Sequence, residues 1–406
     1  MTAAVDRAPV DDLKARRREA LKVTGWGAPF HFVQPRNACF WLYLLMVLAG
    51  TRTLVGMVSP NVGIFSDAYV AALVTAGAFG LVFVLVLRHI DRWERTPAKL
   101  ALVAFIGGGF AAPWAIALPG NGAMMGLYAK NFGQAFAEDW QAGLSAPFVE
   151  ETGKAAIFLL LLGLAPRTIR TVYDGLIVGA FVGLGFQVLE DMLYGQNSAM
   201  EHFGQDQAGS VLHTFVLRSA TGVASHALYT AVVSAGLIYV IGTVAQPRKL
   251  GRGILLIIAA MIMHGLWDSM AALSGGKAAL IFAIIAVFTI IPIIVLIIAV
   301  RLGANQERHY AHDVLAPEVA NGTISEAELD AATGDRRRRR KDRRAALKAR
   351  PGGTSRRREK HVLRAILDLC NDLAVSGGED SRDVEHSRAE ILRLRRSPAS
   401  GATATR

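Results

Sequence analysis

Eight apolar blocks, each long enough to cross a lipid bilayer, constrain this chain more than any other feature. The first runs from Ala38 to about Val58, and a hydrocarbon core about 30 Å thick needs a helix of about 20 such residues. The other blocks lie at about 68–87, 98–118, 145–164, 174–194, 214–243, 253–273 and 278–301. Because lipid offers no hydrogen bonds to the backbone, such blocks become helices. The sequence predicts an all-α, polytopic transmembrane helix bundle of about eight spans.

Composition excludes the main alternatives. Hydrophobic residues make up 52% of the 406 residues and charged residues only 19%, against about 25% charged residues in soluble domains. Since the apolar residues are concentrated in blocks, the chain is neither one soluble domain nor a disordered or fibrous protein. Its two cysteines, Cys39 and Cys370, lie far apart, so we expect no disulfide framework and no cysteine-based zinc site.

Loop charges predict the orientation of the bundle, because cytoplasmic loops carry an excess of Lys and Arg. Basic loops follow the second, fourth and sixth blocks, whereas the loops between them hold almost no Lys or Arg. The basic residues are Arg88, Arg92, Arg95, Lys99, Arg167, Arg170, Arg248, Lys249 and Arg252. We therefore predict an integral protein of the cell (plasma) membrane with both termini cytoplasmic.

The composition along the chain predicts three regions. Residues 1–37 are a basic cytoplasmic extension, residues 38–302 the transmembrane bundle, and residues 303–406 a soluble, Arg-rich and largely disordered cytoplasmic tail. Within the tail we expect a short acidic helix near 325–332 and helical apolar spacing over 361–373.

The net charge of +11 includes the arginine run 336–340 in the tail. Basic segments close to a membrane bind anionic lipid, at about 1 kcal/mol per basic residue, and we prefer this partner to nucleic acid. Two outer segments, 119–144 and 195–213, mix apolar and polar residues. They fit either helices that lie in the membrane interface or re-entrant segments that cover the part of the bundle beneath them.

Ionisable residues inside the predicted spans are the candidate functional groups, since each costs at least about 2.5–3.5 kcal/mol at bilayer depth. They are Glu150, Glu151 and Lys154 in the fourth span, Glu190 in the fifth, His226 in the sixth, and His264 and Asp268 in the seventh. A rise of 1.5 Å per residue puts the carboxylates about 6–9 Å below the outer surface and the imidazoles about 14–16 Å below it. Four spans therefore place their unusual residues in one layer.

Helical periodicity predicts the direction in which these side chains point. Gly175, Gly179 and Gly183 form a ridge of small residues that lets a neighbouring helix approach closely. Glu190 continues this ridge, so we expect it to point into the bundle. A structural ion pair would explain a lone Glu and Lys, but Lys154 cannot satisfy two adjacent glutamates on one face.

Such a set of side chains favours hydrolysis. A carboxylate in an apolar site can take a proton from water, and imidazoles can stabilise an oxyanion or bind a metal. A proton- or ion-coupled transporter would use the same residue types, and a catalytically inactive scaffold would need none of them. The first three spans carry no counterpart of the cluster, whereas transporters are often built from repeated halves, so the enzyme is favoured.

Four motifs carry a resemblance to a known family. They are Glu150-Glu151-x-x-Lys154, Tyr173-Asp174-Gly175 through Gly183-Leu-Gly-Phe186-x-x-x-Glu190, Ser225-His226-Ala-Leu-Tyr, and His264-Gly-Leu-Trp-Asp268. In this order, over about residues 145–270, they resemble the PrsW family of intramembrane proteases. That family is similar to a branch of the superfamily of CAAX prenyl proteases and bacteriocin-processing enzymes. One departure is Asp191, where the family pattern has Asn.

The resemblance implies an intramembrane endopeptidase that cuts a membrane-bound substrate near the extracytoplasmic face, such as a single-span anti-sigma factor. It also implies catalytic roles for all seven ionisable residues above.

Two mechanisms stay open. In a glutamic mechanism, Glu150 or Glu151 activates water while His226 and His264 hold the oxyanion. In a metal mechanism, the ligands of a zinc ion are Glu190, His226, His264 and Asp268, with Glu151 as the base. The His and Asp at i and i+4 look like a ligand pair, which favours the metal mechanism slightly.

Overall fold

The computed structural model describes residues 9–222, 225–334 and 354–396, and throughout these ranges the regular elements are helices. The chain divides into two compact units. The larger unit, here called the bundle, comprises Phe30–Ile90 and Thr96–Gly303. The smaller unit comprises Met1–Pro29, Asp91–Arg95 and Ala304–Arg406.

The bundle is built from consecutive helices. They are α2 (Ala38–Val58), α3 (Ser66–Ile90), α4 (Ala98–Ile106), a π-helical segment (Gly107–Ala117), α5 (Leu118–Phe132), α6 (Gln134–Leu164), α7 (Val172–Glu201), α8 (Gln207–Thr221), α9 (His226–Ile241), α10 (Leu250–Asp268), α11 (Met270–Ser274) and the first part of α12 (Ala278–Ala320). Among the described residues, six helical stretches are long and apolar enough to cross a membrane. The predicted helical membrane bundle is confirmed.

Two predicted spans differ in detail from the observed helices. The fourth block lies in α6, which begins well before it and carries three charged residues in its middle. The sixth block, 214–243, is not one helix: α8 ends at Thr221 and α9 starts at His226. A hydropathy pattern averages over such a break, which is why the prediction of a single span there was wrong. The outer segments 119–144 and 195–213 are largely helical, in α5, α6, α7 and α8.

Close approach of α7 and α9 positions the centre of the bundle. The predicted glycine ridge of α7 faces α9: Gly175 and Gly179 lie against Ser234, and Gly183 lies against the start of α9. A Cβ added to Gly183 would lie 2.2 Å from the carbonyl oxygen of His226. Because that atom belongs to the backbone, it cannot move aside, so only glycine allows the two helices to meet here.

The smaller unit is a helical domain with its own apolar core. Its helices are α1 (Val10–Thr24), the end of α12, α13 (Glu326–Thr333), α14 (Thr354–Val375) and α15 (Arg382–Arg396). The buried core includes Leu21, Leu315 and Leu369. The predicted helices near 325–332 and over 361–373 are confirmed as α13 and part of α14. The prediction of a largely disordered tail fails over 304–334 and 354–396, because amphipathic helices there find partners to pack against. The run 336–340 lies outside the described residues.

A buried ion cluster fixes the smaller unit. The carboxylate of Glu318 has no exposed surface, and Arg17 donates to its Oε1 at 2.8 Å. Arg388 donates to both oxygens of Glu318, at 2.8 Å each. Paired in this way, the buried carboxylate has its charge balanced and its oxygens hydrogen-bonded. The cluster joins the N-terminal helix to the tail.

We expect Gly183→Ala to destabilise the bundle by about 1–3 kcal/mol, the usual cost of overpacking. The matched control is Gly77→Ala on α3, where an added Cβ meets nothing within 4 Å, and which should be neutral or stabilising by up to about 1 kcal/mol. Thermal unfolding in detergent measures both. Equal melting temperatures for the two variants would contradict the close contact.

The capping box of α13 predicts a pH dependence. Ser325 accepts from the Glu328 N–H, and the Glu328 carboxylate accepts from the Ser325 N–H and from Arg395. These donors hold the pKa of Glu328 below its ordinary value of 4.5. Because the folded pKa is the lower one, the stabilisation is present above about pH 4.5 and is lost as the pH falls through the folded pKa.

Hydrogen exchange of residues 326–333 between pH 6 and pH 3 checks this. The wild-type helix should lose protection, corrected for intrinsic rates, as the pH falls. Glu328→Gln keeps a capping residue at the third helical position but removes this titration, so its protection should be lower at pH 6 and should fall less on acidification than that of the wild type. The remaining fall comes from Glu318 of the same unit, whose carboxylate also loses its ion pairs with arginine on protonation. A variant that loses as much protection as the wild type would refute the assignment.

Candidate active site

All seven ionisable residues predicted from the sequence meet in one connected cluster inside the bundle. The contributions are Glu150, Glu151 and Lys154 from α6, Glu190 from α7, His226 from α9, and His264 and Asp268 from α10. Residues at i, i+3 and i+4 share one face of a helix, which is why one stretch of α6 supplies three of them and one turn of α10 supplies two.

The ammonium of Lys154 occupies the middle of the cluster and has no exposed surface. Its Nζ donates to Glu151 Oε1 at 2.7 Å and lies 3.5 Å from Glu150 Oε2. It also lies 4.0 Å from the centre of the Phe186 ring, which adds a cation–π contact. A buried charge needs such compensation.

The protonation of His226 follows from its two neighbours. Lys154 Nζ lies 2.8 Å from Nδ1, and an ammonium can only donate, so Nδ1 accepts. The Nε2 proton is then donated to Glu190 Oε2, at 2.9 Å. The imidazole is therefore held between a cation and a carboxylate, with its Nδ1 lone pair turned towards the inside of the cluster.

His264 has neighbours at both ring nitrogens but no aligned hydrogen bond. Nδ1 lies 3.1 Å from Glu151 Oε1, and Nε2 lies 3.3 Å from Asp268 Oδ2 and 3.7 Å from Glu150 Oε2. Within the part of the chain that the structure describes, both nitrogens and Glu150 Oε2 are buried without a hydrogen-bond partner. Buried polar atoms without hydrogen bonds are rare inside proteins, so these three atoms need an explanation.

A metal ion fits these atoms. Glu150, His226 and His264 each offer one ligand atom, and the three atoms lie within 4.8 Å of one another. Glu150 Oε2 lies 3.8 Å from His226 Nδ1 and 3.7 Å from His264 Nε2. Two ligands of a tetrahedral zinc ion, at about 2.0–2.2 Å each, lie about 3.3–3.6 Å apart. Small side-chain movements would therefore suffice.

Sequence reasoning missed Arg218, which connects α8 to the cluster. Its Nη2 donates to Glu190 Oε2 at 2.8 Å, and its Nε donates to Asp191 Oδ1 at 2.5 Å. The guanidinium also lies over the Tyr194 ring, 3.9 Å from its centre. As a cation inside a predicted span, Arg218 met the criterion that selected the other residues. Arg218 is also the ion-pair partner of Asp191, the residue at which the sequence departs from the family pattern.

Asn121 and Thr230 were also missed, and neither position gave a signal in the sequence. Asn121 of α5 donates from Nδ2 to Glu150 Oε1 at 3.0 Å. Thr230 of α9 donates from Oγ1 to Glu151 Oε2 at 3.2 Å. Each glutamate thus has one oxygen oriented by a neutral side chain. Of the two carboxylates, only Glu150 keeps an oxygen without a hydrogen bond.

A buried set of carboxylates and imidazoles within apolar helices has the groups that hydrolysis inside a membrane requires. Residues 96–297, which include every member of the cluster, match the family model described as PrsW family intramembrane metalloprotease. This region is similar to the PrsW family, and the protein is an intramembrane protease. No curated protein and no solved structure matches it.

We expect Arg218→Gln to destabilise the bundle by about 1–3 kcal/mol, the value of hydrogen bonds to charged groups. The variant leaves the adjacent carboxylates of Glu190 and Asp191 without their shared cation. Adding Asp191→Asn removes one of the two negative charges and should restore part of the loss. Thermal unfolding in detergent measures both variants.

The control for this pair is Arg248→Gln, which changes an exposed arginine and should have no effect. A double variant that is less stable than Arg218→Gln alone would show that repulsion between the two carboxylates is not the cause.

Proposed function

We propose that the cluster hydrolyses a peptide bond of a membrane-bound protein with the help of a zinc ion held by Glu150, His226 and His264. The observation that carries the proposal is that potential metal ligands without hydrogen bonds converge on one place. Glu150 Oε2 and His264 Nε2 are buried without hydrogen bonds, 3.7 Å apart, and His226 directs Nδ1 to the same place. A metal ion would satisfy all three ligand atoms at once.

In each histidine, the contact of the ring nitrogen that would not bind the metal supports this ligand set. His226 gives its Nε2 proton to Glu190, and His264 Nδ1 lies 3.1 Å from Glu151. Metal-binding histidines almost always direct their second nitrogen to a carboxylate or a carbonyl, which fixes the ring and raises its basicity. In this proposal Glu190 and Glu151 therefore orient the ligands. The sequence-based set of Glu190, His226, His264 and Asp268 is revised: Glu150 replaces Glu190, and Asp268 is no longer a ligand.

Lys154 has to be accommodated, because its ammonium contacts His226 Nδ1. A metal at that nitrogen requires Lys154 to keep only its carboxylate contacts, of which the bond to Glu151 is the shortest, at 2.7 Å. Lys154 then serves as the buried counter-charge of Glu151. This function needs no contact with the substrate.

Asp268 is the carboxylate best placed to move a proton. Its side chain is 24% exposed, more than those of Glu150, Glu151 and Glu190, and His264 is its only basic neighbour among the described residues. Asp268 accepts a proton as a water oxygen attacks the peptide carbon and the carbonyl electron pair moves to oxygen. When the C–N bond breaks, the proton passes from Asp268 to the leaving nitrogen. A bound zinc ion would add Lewis-acid polarisation of the carbonyl and a lower pKa of the attacking water.

The glutamic mechanism uses the same cluster differently. Without a metal, the unpaired oxygen of Glu150 would accept the proton of the water, and His264 would donate to the oxyanion. Glu151 is less suited to this, because Lys154 and Thr230 occupy its two oxygens. Metal content distinguishes the two mechanisms.

The proposed substrate is a single-span membrane protein, such as an anti-sigma factor, cut near the extracytoplasmic face of the plasma membrane. The depth of the cluster expected from the sequence supports this face. The topology is supported by the smaller unit, which unites the N-terminal helix, residues 91–95 and the tail. All three segments were predicted to be cytoplasmic. Anionic lipid is the proposed partner of the Arg-rich tail.

Metal analysis of the protein purified in detergent tests the ligand set. We expect about one zinc per chain in the wild type. Glu150→Gln and His264→Ala should lower zinc affinity by more than about 100-fold, since removing a ligand costs more than replacing an orienting residue, which lowers affinity by about 10–100-fold. Glu190→Gln should weaken binding without abolishing it. His213→Ala, an exposed histidine of α8, is the control and should keep the metal.

Cleavage of a dye-labelled single-span peptide in the same micelles provides the second measurement. Wild type and His213→Ala should cleave it, and Glu150→Gln and His264→Ala should not. A metal-free wild type that still cleaves would favour the glutamic mechanism. Full zinc content in Glu150→Gln would refute the ligand set.

A further inference from the structure

Tyr229 lies against both imidazoles of the cluster, one helical turn after His226 on α9. Its ring stacks on the His264 ring, with centroids 5.1 Å apart and an interplanar angle of 20°. The ring of His226 meets it edge-on at 6.5 Å. The side chain has no exposed surface. The tyrosine is therefore part of the wall of the site.

The hydroxyl of Tyr229 has no hydrogen-bond partner among the described residues. A buried Tyr O–H usually finds one. Because its ring stacks on His264 and meets His226 edge-on, the phenol lies beside two of the proposed metal ligands. It is a neutral donor next to the proposed reaction centre that the protein itself does not use.

Two other hydroxyls in the bundle behave differently. Tyr43, which is also almost fully buried, donates to the carbonyl oxygen of Val103 at 2.7 Å. Thr230, the residue after Tyr229, donates to Glu151. These two buried hydroxyls have acceptors, whereas Tyr229 and Ser234 on α9 have none among the described residues. The lack of an acceptor at Tyr229 leaves its O–H available to a ligand.

With a metal ion on Nε2 of His264 and Nδ1 directed to Glu151, the other donors of the site are engaged. Lys154 is bound to Glu151 and His226, and the Nε2 proton of His226 is bound to Glu190. Arg218 is bound to Glu190 and Asp191. A substrate carbonyl that enters the cluster would find the Tyr229 hydroxyl as an uncommitted neutral donor.

We propose that Tyr229 is a catalytic residue whose hydroxyl donates a hydrogen bond to the carbonyl oxygen of the scissile peptide bond. As water adds to the carbon, the carbonyl electron pair moves onto this oxygen, and the phenol stabilises the negative charge while keeping its own proton. When the C–N bond breaks, the pair returns to the carbon–oxygen bond. This inference rests on the proposed function, since it assigns a residue to the same reaction centre.

The test compares Tyr229→Phe with Tyr43→Phe. Tyr229→Phe keeps the ring stacking and removes only the hydroxyl, so kcat for the dye-labelled single-span peptide should fall about 100-fold, as when an oxyanion-hole donor is lost. KM should change less than about threefold, because the hydrogen bond strengthens in the transition state. Zinc content should match the wild type.

Melting temperature provides a readout that does not depend on cleavage. Tyr229→Phe removes a buried hydroxyl without a partner, so its melting temperature should equal or exceed that of the wild type. Tyr43→Phe removes a hydroxyl that donates to the Val103 carbonyl, so its melting temperature should fall through the loss of this hydrogen bond while its kcat stays at the wild-type value. The two variants should therefore show opposite patterns.

Glu150→Gln separates the two proposals. If Glu150→Gln abolishes cleavage and Tyr229→Phe cleaves like the wild type, the role of Tyr229 is refuted and the proposed centre stands. If Glu150→Gln cleaves normally, the proposed centre itself is refuted. A lower melting temperature of Tyr229→Phe with unchanged kcat, or an unfolded Tyr229→Phe, would show that the hydroxyl has a structural role and would overturn the inference.

Discussion

The buried ammonium of Lys154 is the charge on which the rest of the bundle core depends. It has no exposed surface and contacts Glu151 on its own helix, His226 on α9 and the ring of Phe186 on α7. Breaking a buried pair by removing one partner costs about 3–5 kcal/mol, because the other charge stays behind. The same contacts that join three helices therefore also set the positions of the groups proposed to bind a metal.

These contacts require the helices to approach closely. Gly183 lets α7 meet the backbone of His226 at the first turn of α9, and this brings Glu190, two turns further along α7, within 2.9 Å of the imidazole. A reaction centre has to be held to within about 0.5 Å. Gly183 has no functional side chain, but the site depends on it because it allows the approach that places Glu190.

The sequence predicted the members of the site because charged residues are rare inside apolar spans and helical periodicity fixes which ones share a face. It could not predict which oxygen of Glu150 or Glu151 stays unpaired, since that depends on Asn121 and Thr230, which no spacing marks. It also missed the break between α8 and α9, which an average over an apolar block hides. The tail looked disordered by composition, yet Arg17 and Glu318 pair across 301 residues of sequence, a contact that no local pattern reveals.

The buried polar groups of the proposed site differ from the buried ion cluster of the smaller unit, and the difference indicates where function lies. In the smaller unit, both oxygens of Glu318 are bound by arginine. Among the described residues of the bundle, Glu150, Tyr229 and His264 keep buried polar atoms without hydrogen bonds. Each such atom costs about 1–3 kcal/mol, and net stability is only about 5–15 kcal/mol. Because these atoms lie together around His264, a ligand and a substrate that complete them at one site explain their unmet bonding capacity.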